Sequence, residues 1–399
     1  MNQVIVAGHI CLDIIPDMSG LEREQFFARL QPGNLIEVGA ATMSTGGPVS
    51  NTGLALHKLG IPTRLMGKLG ADRFGQAVCE IVAGIAPELV DGMIVDANSS
   101  TSYTVIISSP GVDRIFLHSP GANHTFCAAD VDYAKAAQAD LFHFGYPPLM
   151  RRMYEDDGAQ LAEIFRRVKQ SGVLTSLDMA VPDSASPAGR ADWRAILQKT
   201  LPYVDIFLPS IEELLMCLDR VHYERLAGQD GKLLDRVTPE LLSAMSSEQL
   251  AMGVKLVVLK LGERGLYLRT APPDVLRGLG HGLDAAVWGG CEIWIPCFQV
   301  QVVGTTGSGD ATIAGFLSGL LRGLNPIETM TMAVAVGACN VEAADALSGV
   351  RSWDETQFRL EQGWPSCKLS LDSAGWVLEP KSGVFLGPGH THLSSSSEL

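Results

Sequence analysis

Short continuous apolar runs alternate with longer stretches of helical periodicity along most of the chain. Val4 to Ala7, Thr63 to Leu69, Leu141 to Phe144, Leu174 to Asp178, Val204 to Leu208 and Val254 to Leu259 have the length of strands and no polar alternation, as strands buried on both faces do. Between them, Ser50 to Leu59, a segment from Gln76, and Gly158 to Ser171 read as helices. Gly60 stands as the stop of the first helix, with Pro62 two residues beyond it. Strand and helix in recurring order predict an α/β fold with a mainly parallel sheet covered on both faces.

Some segments depart from this alternation. Gly33 to Met43 reads as a modest strand pair, and residues 101 to 118 as a hairpin around Ser109-Pro110-Gly111-Val112. Together, segments 13–46 and 101–121 are expected to form a small β layer, a lid. Residues 221–252 are charged and helix-prone, an expected surface insertion, and 270–290 are rich in Gly and Pro, an expected loop or second flap. The simple, polar end predicts one domain over 1–379 and a flexible tail over 380–399.

The most informative stretch is Gly304-Thr305-Thr306-Gly307-Ser308-Gly309-Asp310-Ala311-Thr312, between the apolar runs Phe298 to Val303 and Ile313 to Leu321. Strand, tight turn and helix in that order would aim the turn amides and the helix N-terminus at one point, an anion site. The glycine spacing resembles a Walker loop, but Asp310 stands where the phosphate-binding Lys would be. A carboxylate there repels phosphate. It suits a general base, with the Gly307, Ser308 and Gly309 amides holding charge on a transferred phosphoryl group. At a helix N-terminus the dipole favours its ionised form and lowers its basicity. The competing reading is a helix cap.

Composition narrows the classes. With 44 acidic and 30 basic residues the net charge is −14, which disfavours nucleic acid and anionic membranes as partners. An anionic nucleotide would then need local amides, a few cations and Mg²⁺. The eight Cys have no C-x-x-C spacing, so reduced thiols and a cytoplasmic location are the expectation. No apolar run reaches the roughly 18 residues of a membrane span.

Gly46-Gly47, Asn51, Gly70-x-Asp72-x-x-Gly75 and Gly307-Ser308-Gly309-Asp310, in this order, resemble the ribokinase family of pfkB-type carbohydrate kinases over roughly residues 1 to 350. The resemblance implies a three-layer α/β/α sandwich with a small β lid. It makes Asp310 the general base, and Asp13, Gly46, Gly47 and Asn51 the contacts to sugar hydroxyls. It lays Gly262 and Gly265 along the nucleotide and Asn340 near the adenine, with ATP and Mg²⁺ as cofactors.

Three positions depart from the family pattern. Gly304 stands where an Asp often ties a monovalent cation, which makes potassium activation doubtful. Ser210-x-x-Glu213 replaces N-x-x-E, leaving Glu213 to reach Mg²⁺ through water. Lys260 replaces a Thr before Gly262 and adds a cation beside the phosphates. The expected activity is ATP-dependent phosphorylation of a hydroxyl on a sugar or sugar derivative. The alternatives are a nucleoside kinase of the same fold and a ligand-binding sensor without turnover. A homodimer is compatible with this reading.

Overall fold

Six parallel strands form the heart of the computed structural model, which describes residues 3–108, 110, 114–228, 232–280, 283–371, 373–380 and 382–391. From one edge they run Thr63–Met66, Val4–Gly8, Leu141–Gly145, Leu174–Leu177, Ile206–Phe207 and Leu256–Lys260. Leu266–Thr270, Glu292–Ile295, Val384–Leu386 and Val377–Glu379 extend the same sheet as antiparallel strands. The result is a ten-stranded, mainly parallel sheet.

Successive residues of a strand point to opposite faces, and the core divides accordingly. Val4, Val6, Leu256 and Val258 pack under Pro48–Lys58, Ser308–Leu321 and Pro326–Asn340. Ile5, Ala7, Val257 and Leu259 pack under Ala159–Gln170, Trp193–Thr200, Ile211–Leu218 and Pro239–Ala251. This is the expected three-layer sandwich. Both faces of each central strand are covered, which is why these strands read as unbroken apolar runs.

The lid is a four-stranded sheet in the order Ala41–Gly46, Cys11–Pro16, Tyr103–Ile107, Ile115–Ser119. Its hairpin is present, but the tip residues Ser109, Gly111 and Val112 of the expected loop lie outside the described residues. The strand pair expected over 33–43 is instead one strand, Ala41–Gly46, paired antiparallel with Cys11–Pro16. Residues 33–40 before it are irregular and mostly exposed, Leu35 at 90%, and Ile36 packs against the small cluster of Met18, Leu21 and Phe26 instead of against a partner strand.

Other expectations need correction. The run Thr63 to Leu69 breaks in two, since Lys68–Gly70 leaves the main sheet to pair with Ile94–Asp96. Phe298 to Val303 forms no strand. Val302 and Val303 are exposed, a single bridge joins Phe298 to Ser366, and the strand before the glycine turn is Glu292–Ile295. Segment 221–252 is no surface insertion: Leu226, Leu233, Val237, Leu242 and Met245 belong to the core. Nor is 270–290 a free flap, because Leu276 and Trp288 are buried and Trp288 meets Phe316 edge to face.

Of the expected tail, residues 384–391 pack, while 381 and 392–399 lie outside the described residues. Val384–Leu386 pairs with Glu292–Ile295, and the chain beyond it closes over Glu292, whose side chain is fully buried. That carboxylate accepts from the Gly389 amide at 2.6 Å and the Tyr267 hydroxyl at 2.7 Å, with Arg269 at 3.5 Å. Ending the chain after Gly383 should therefore remove two buried side chains and one donor to a buried carboxylate. Stability should fall by about 3 kcal/mol or more, from the apolar burial alone. Urea denaturation checks this, and an unchanged midpoint would show that the segment does not dock.

Candidate active site

The parallel strands deliver the site. Immediately past their C-terminal ends stand His9, Tyr146 and Asp178, Lys260 is itself the last residue of its strand, and Ser210 follows Ile206–Phe207 by three residues. Open α/β sheets place ligands on this edge, because chain turns there leave backbone and side chains facing one crevice.

Asp310 sits in the first turn of Ser308–Leu321 and is 2% exposed. Its Oδ1 accepts from the Thr52 hydroxyl at 3.0 Å, and its Oδ2 from the Asn51 amide at 3.0 Å and the Tyr146 hydroxyl at 2.9 Å. Burial raises its pKa, opposed by the Asn51 hydrogen bond, the Lys260 charge and the bonds from Tyr146 and Thr52. The expected lowering by the helix dipole is thus reversed in direction: desolvation outweighs it, and the carboxylate becomes the more basic. Its side chain caps no amide of its own helix, whose N-cap is Gly307 at φ +70°.

Lys260 is the cation of the site. Its ammonium lies 2.6 Å from Asp178 Oδ1 and 3.8 Å from Glu213 Oε2, and its side chain runs alongside Gly309. Burial alone would lower its pKa, but the charges of Asp178, Glu213 and Asp310 more than offset this and keep it protonated. Ser210 and Glu213 form a capping box, with Ser210 N–H donating to Glu213 Oε2 at 2.6 Å and Glu213 N–H to Ser210 Oγ at 3.1 Å. Asp178 Oδ2 is buried with no partner among the described residues.

The side of the site nearest the lid is built around Gly46 and Gly47. A Cβ at Gly46 would lie 2.3 Å from Asp13 Oδ2, and one at Gly47 2.5 Å from His9 Nδ1, so only glycine lets both side chains close on this turn. Asp13 lies in the lid strand, where its Oδ1 accepts from the Cys11 thiol at 3.3 Å. The lid also reaches the glycine turn: Arg114 donates to the hydroxyls of Thr306 and, at 2.8 Å, Thr305.

Residues 1–352 match the pattern of the pfkB family carbohydrate kinases. The chain belongs to that family. An uncharacterized sugar kinase of Archaeoglobus fulgidus is 25% identical over 74% of this chain and 98% of its own length. Fructokinase-1 of Zea mays is 24% identical over 80% of this chain and 83% of its own. Among solved structures, Arabidopsis thaliana ribokinase complexed with ribose and ATP superposes with a TM-score of 0.67 at 21% identity, over 90% of this chain and 99% of that one.

The carbohydrate kinase fold gathers most of the residues singled out in the sequence. Asn51 touches Asp310, Gly309 lies by Lys260, and Ser210, Glu213 and Lys260 form one cluster. Gly262 and Gly265 bracket the short turn Gly262–Arg264 after Lys260. Ser308 turns its hydroxyl to the Thr305 carbonyl at 3.0 Å, and its amide faces the same carbonyl at 3.4 Å. Asn340 is buried, with Nδ2 on the Ala346 carbonyl at 2.8 Å, so half of its amide braces the loop over Gly307. Sequence reasoning missed Thr52, Tyr146, Asp178 and His9. The signal for the last three was position, each being the residue just past a buried strand.

Burial raises the Asp13 carboxyl to about 6, opposed by hydrogen bonds from Cys11 and Thr104. The folded state then holds this proton more tightly than the unfolded one. Stability is lost as pH rises from about 4 to about 6 and stays reduced above that, by at most about 3 kcal/mol. Asp13→Asn cannot ionise. Its stability relative to the parent should rise between pH 4 and pH 7 in urea titrations, and a pH-independent difference would contradict the assignment.

Proposed function

We propose that the chain transfers the γ-phosphoryl group of ATP to a hydroxyl of a sugar or sugar derivative, with Asp310 as general base. The observation that carries this is the buried Asp310 carboxylate, oriented by three donors beside a glycine-opened helix N-terminus. A carboxylate has about four acceptor positions. With one taken on Oδ1 by Thr52 and two on Oδ2 by Asn51 and Tyr146, Oδ1 keeps a direction for an incoming hydroxyl. The acceptor proton becomes acidic only as its oxygen bonds to phosphorus, so it moves late and a carboxylate suffices.

Charge on the transferred group is met by first-turn amides, where Gly309 and Asp310 have no preceding helical carbonyl, and by Lys260. Asp13, Gly46, Gly47 and Asn51 would orient the sugar, while Gly262, Gly265 and Asn340 would lie along the nucleotide. Mg²⁺ fits the donor set: Asp178 Oδ2 is an unpartnered buried carboxylate oxygen, and Glu213 stands on the other side of Lys260. These are hard oxygens of the kind such an ion takes through its waters, and the ion would supply positive charge to offset the phosphates. The lid, tied to the glycine turn by Arg114, would exclude water from the transfer.

Single-turnover assays with Mg-ATP on a panel of aldoses, ketoses and nucleosides test the reading. Phosphorylated sugar is expected. Transfer to nucleosides alone would point to the other acceptor class, and binding without transfer to a sensor.

Gly304 generates a second expectation. A Cβ there would lie 2.9 Å from the carbonyl oxygens of both Ala343 and Ala344, so the loop leaves no room for a carboxylate to hold a monovalent cation. Exchanging K⁺ for a bulky organic cation at constant ionic strength should change kcat by less than about threefold, under about 1 kcal/mol. A saturable K⁺ requirement would show that carbonyls alone make the site.

A further inference from the structure

We infer that His9 is an acceptor-binding residue that hydrogen-bonds hydroxyls of an uncharged sugar, an assignment that rests on the kinase reading of the site. His9 is 2% exposed, and both its ring nitrogens are buried without a partner among the described residues. Leaving a buried polar group unsatisfied costs about 1–3 kcal/mol, so two such atoms on one ring call for an occupant. His143, in the neighbouring strand, differs in degree: its Nδ1 pairs with Ser176 Oγ at 2.7 Å, leaving only Nε2 without a partner among the described residues. That ring is anchored by the fold and His9 is not.

Its surroundings place His9 at the acceptor. Nδ1 packs against Gly47, where a Cβ would come within 2.5 Å of it, next to Gly46, whose own Cβ would meet Asp13. The Tyr146 ring, whose hydroxyl touches Asp310, is 6.3 Å away between centroids. From above, the His118 ring of the lid strand stands 5.3 Å from it, held by Nδ1 against Thr104 Oγ1 at 3.0 Å. His9 thus lies on the floor one ring away from the base, with a lid residue over it. Opening the lid would uncover it and closing the lid would seal an occupant against it.

The chemistry of the ring selects the occupant. A neutral imidazole presents one donor and one acceptor, and a hydroxyl offers the same pair in return. Binding a carboxylate or phosphate through both nitrogens would require protonating His9. Burial and the neighbouring His118 and His124 act against that. A neutral polyol is therefore the matching ligand class, and an acidic sugar is disfavoured.

Calorimetric titration without nucleotide, using neutral aldoses and ketoses and the corresponding aldonic acids, separates these outcomes. The parent protein should bind a neutral sugar. His9→Leu fills the space without polar atoms, so its melting temperature should equal or exceed the parent's while its sugar Kd weakens about tenfold or more. His9→Gln, with a donor and an acceptor, should recover part of that loss. With ATP, the sugar KM of His9→Leu should rise while kcat and the ATP KM stay within about threefold. An unchanged sugar Kd in His9→Leu, tighter binding of aldonic acids, or no sugar binding by the parent would each overturn the inference. Sugar binding that depends on His9, with no phosphoryl transfer by the parent, would sink the kinase reading and with it the acceptor role, leaving His9 as a sugar-binding residue.

Discussion

Burying the Asp310 carboxylate is the constraint on which the site depends. An ionised group at 2% exposure is tolerable only if its oxygens are hydrogen-bonded, because desolvation without compensation costs several kcal/mol. The compensation comes from two separate elements. Asn51 and Thr52 hold it from helix Pro48–Lys58, and Tyr146 holds it from the end of strand Leu141–Gly145. Fixing Asp310 therefore fixes the helix that opens at Gly47, and through Gly46 and Gly47 the positions of Asp13 and His9. Tyr146 meets this demand in a left-handed conformation, φ 60°, which a bulky residue adopts only when its surroundings require it.

A second balance follows from the first. Asp178, Glu213 and Asp310 all act on the single buried ammonium of Lys260. Three acids thus share one cation, and burial raises the pKa of each of them. A polyphosphate bound there, as proposed above, would call for added positive charge, which a divalent ion would supply. The Lys260 side chain, lying along Gly309, links this charged cluster to the Asp310 end of the site.

Much of this was legible in residue patterns. Unbroken apolar runs such as Val4 to Ala7 announced buried parallel strands, and Gly-Ser-Gly-Asp before a long apolar run announced a glycine turn opening a buried helix. Local signals failed where distant partners decide the outcome. Val302 and Val303 are apolar but stay exposed, and the 384–391 segment docks because Val384 and Leu386 are buried and the buried Glu292 carboxylate takes the Gly389 amide. Tyr146 and His9 carried no motif of their own. Their significance arises from where strands end, which only pairing across the sheet reveals.

The direct measurement is the turnover of Asp310→Asn on an identified sugar, read beside its melting temperature and ATP KM. Asn keeps the shape but cannot take the acceptor proton. If Asp310 is the base, kcat falls by about 10² to 10⁴, or about 3 to 5 kcal/mol, with the ATP KM within about threefold. If the carboxylate serves only to hold helix Pro48–Lys58 in place, the melting temperature drops while turnover of the folded enzyme stays near the parent value. That outcome would contradict the mechanism.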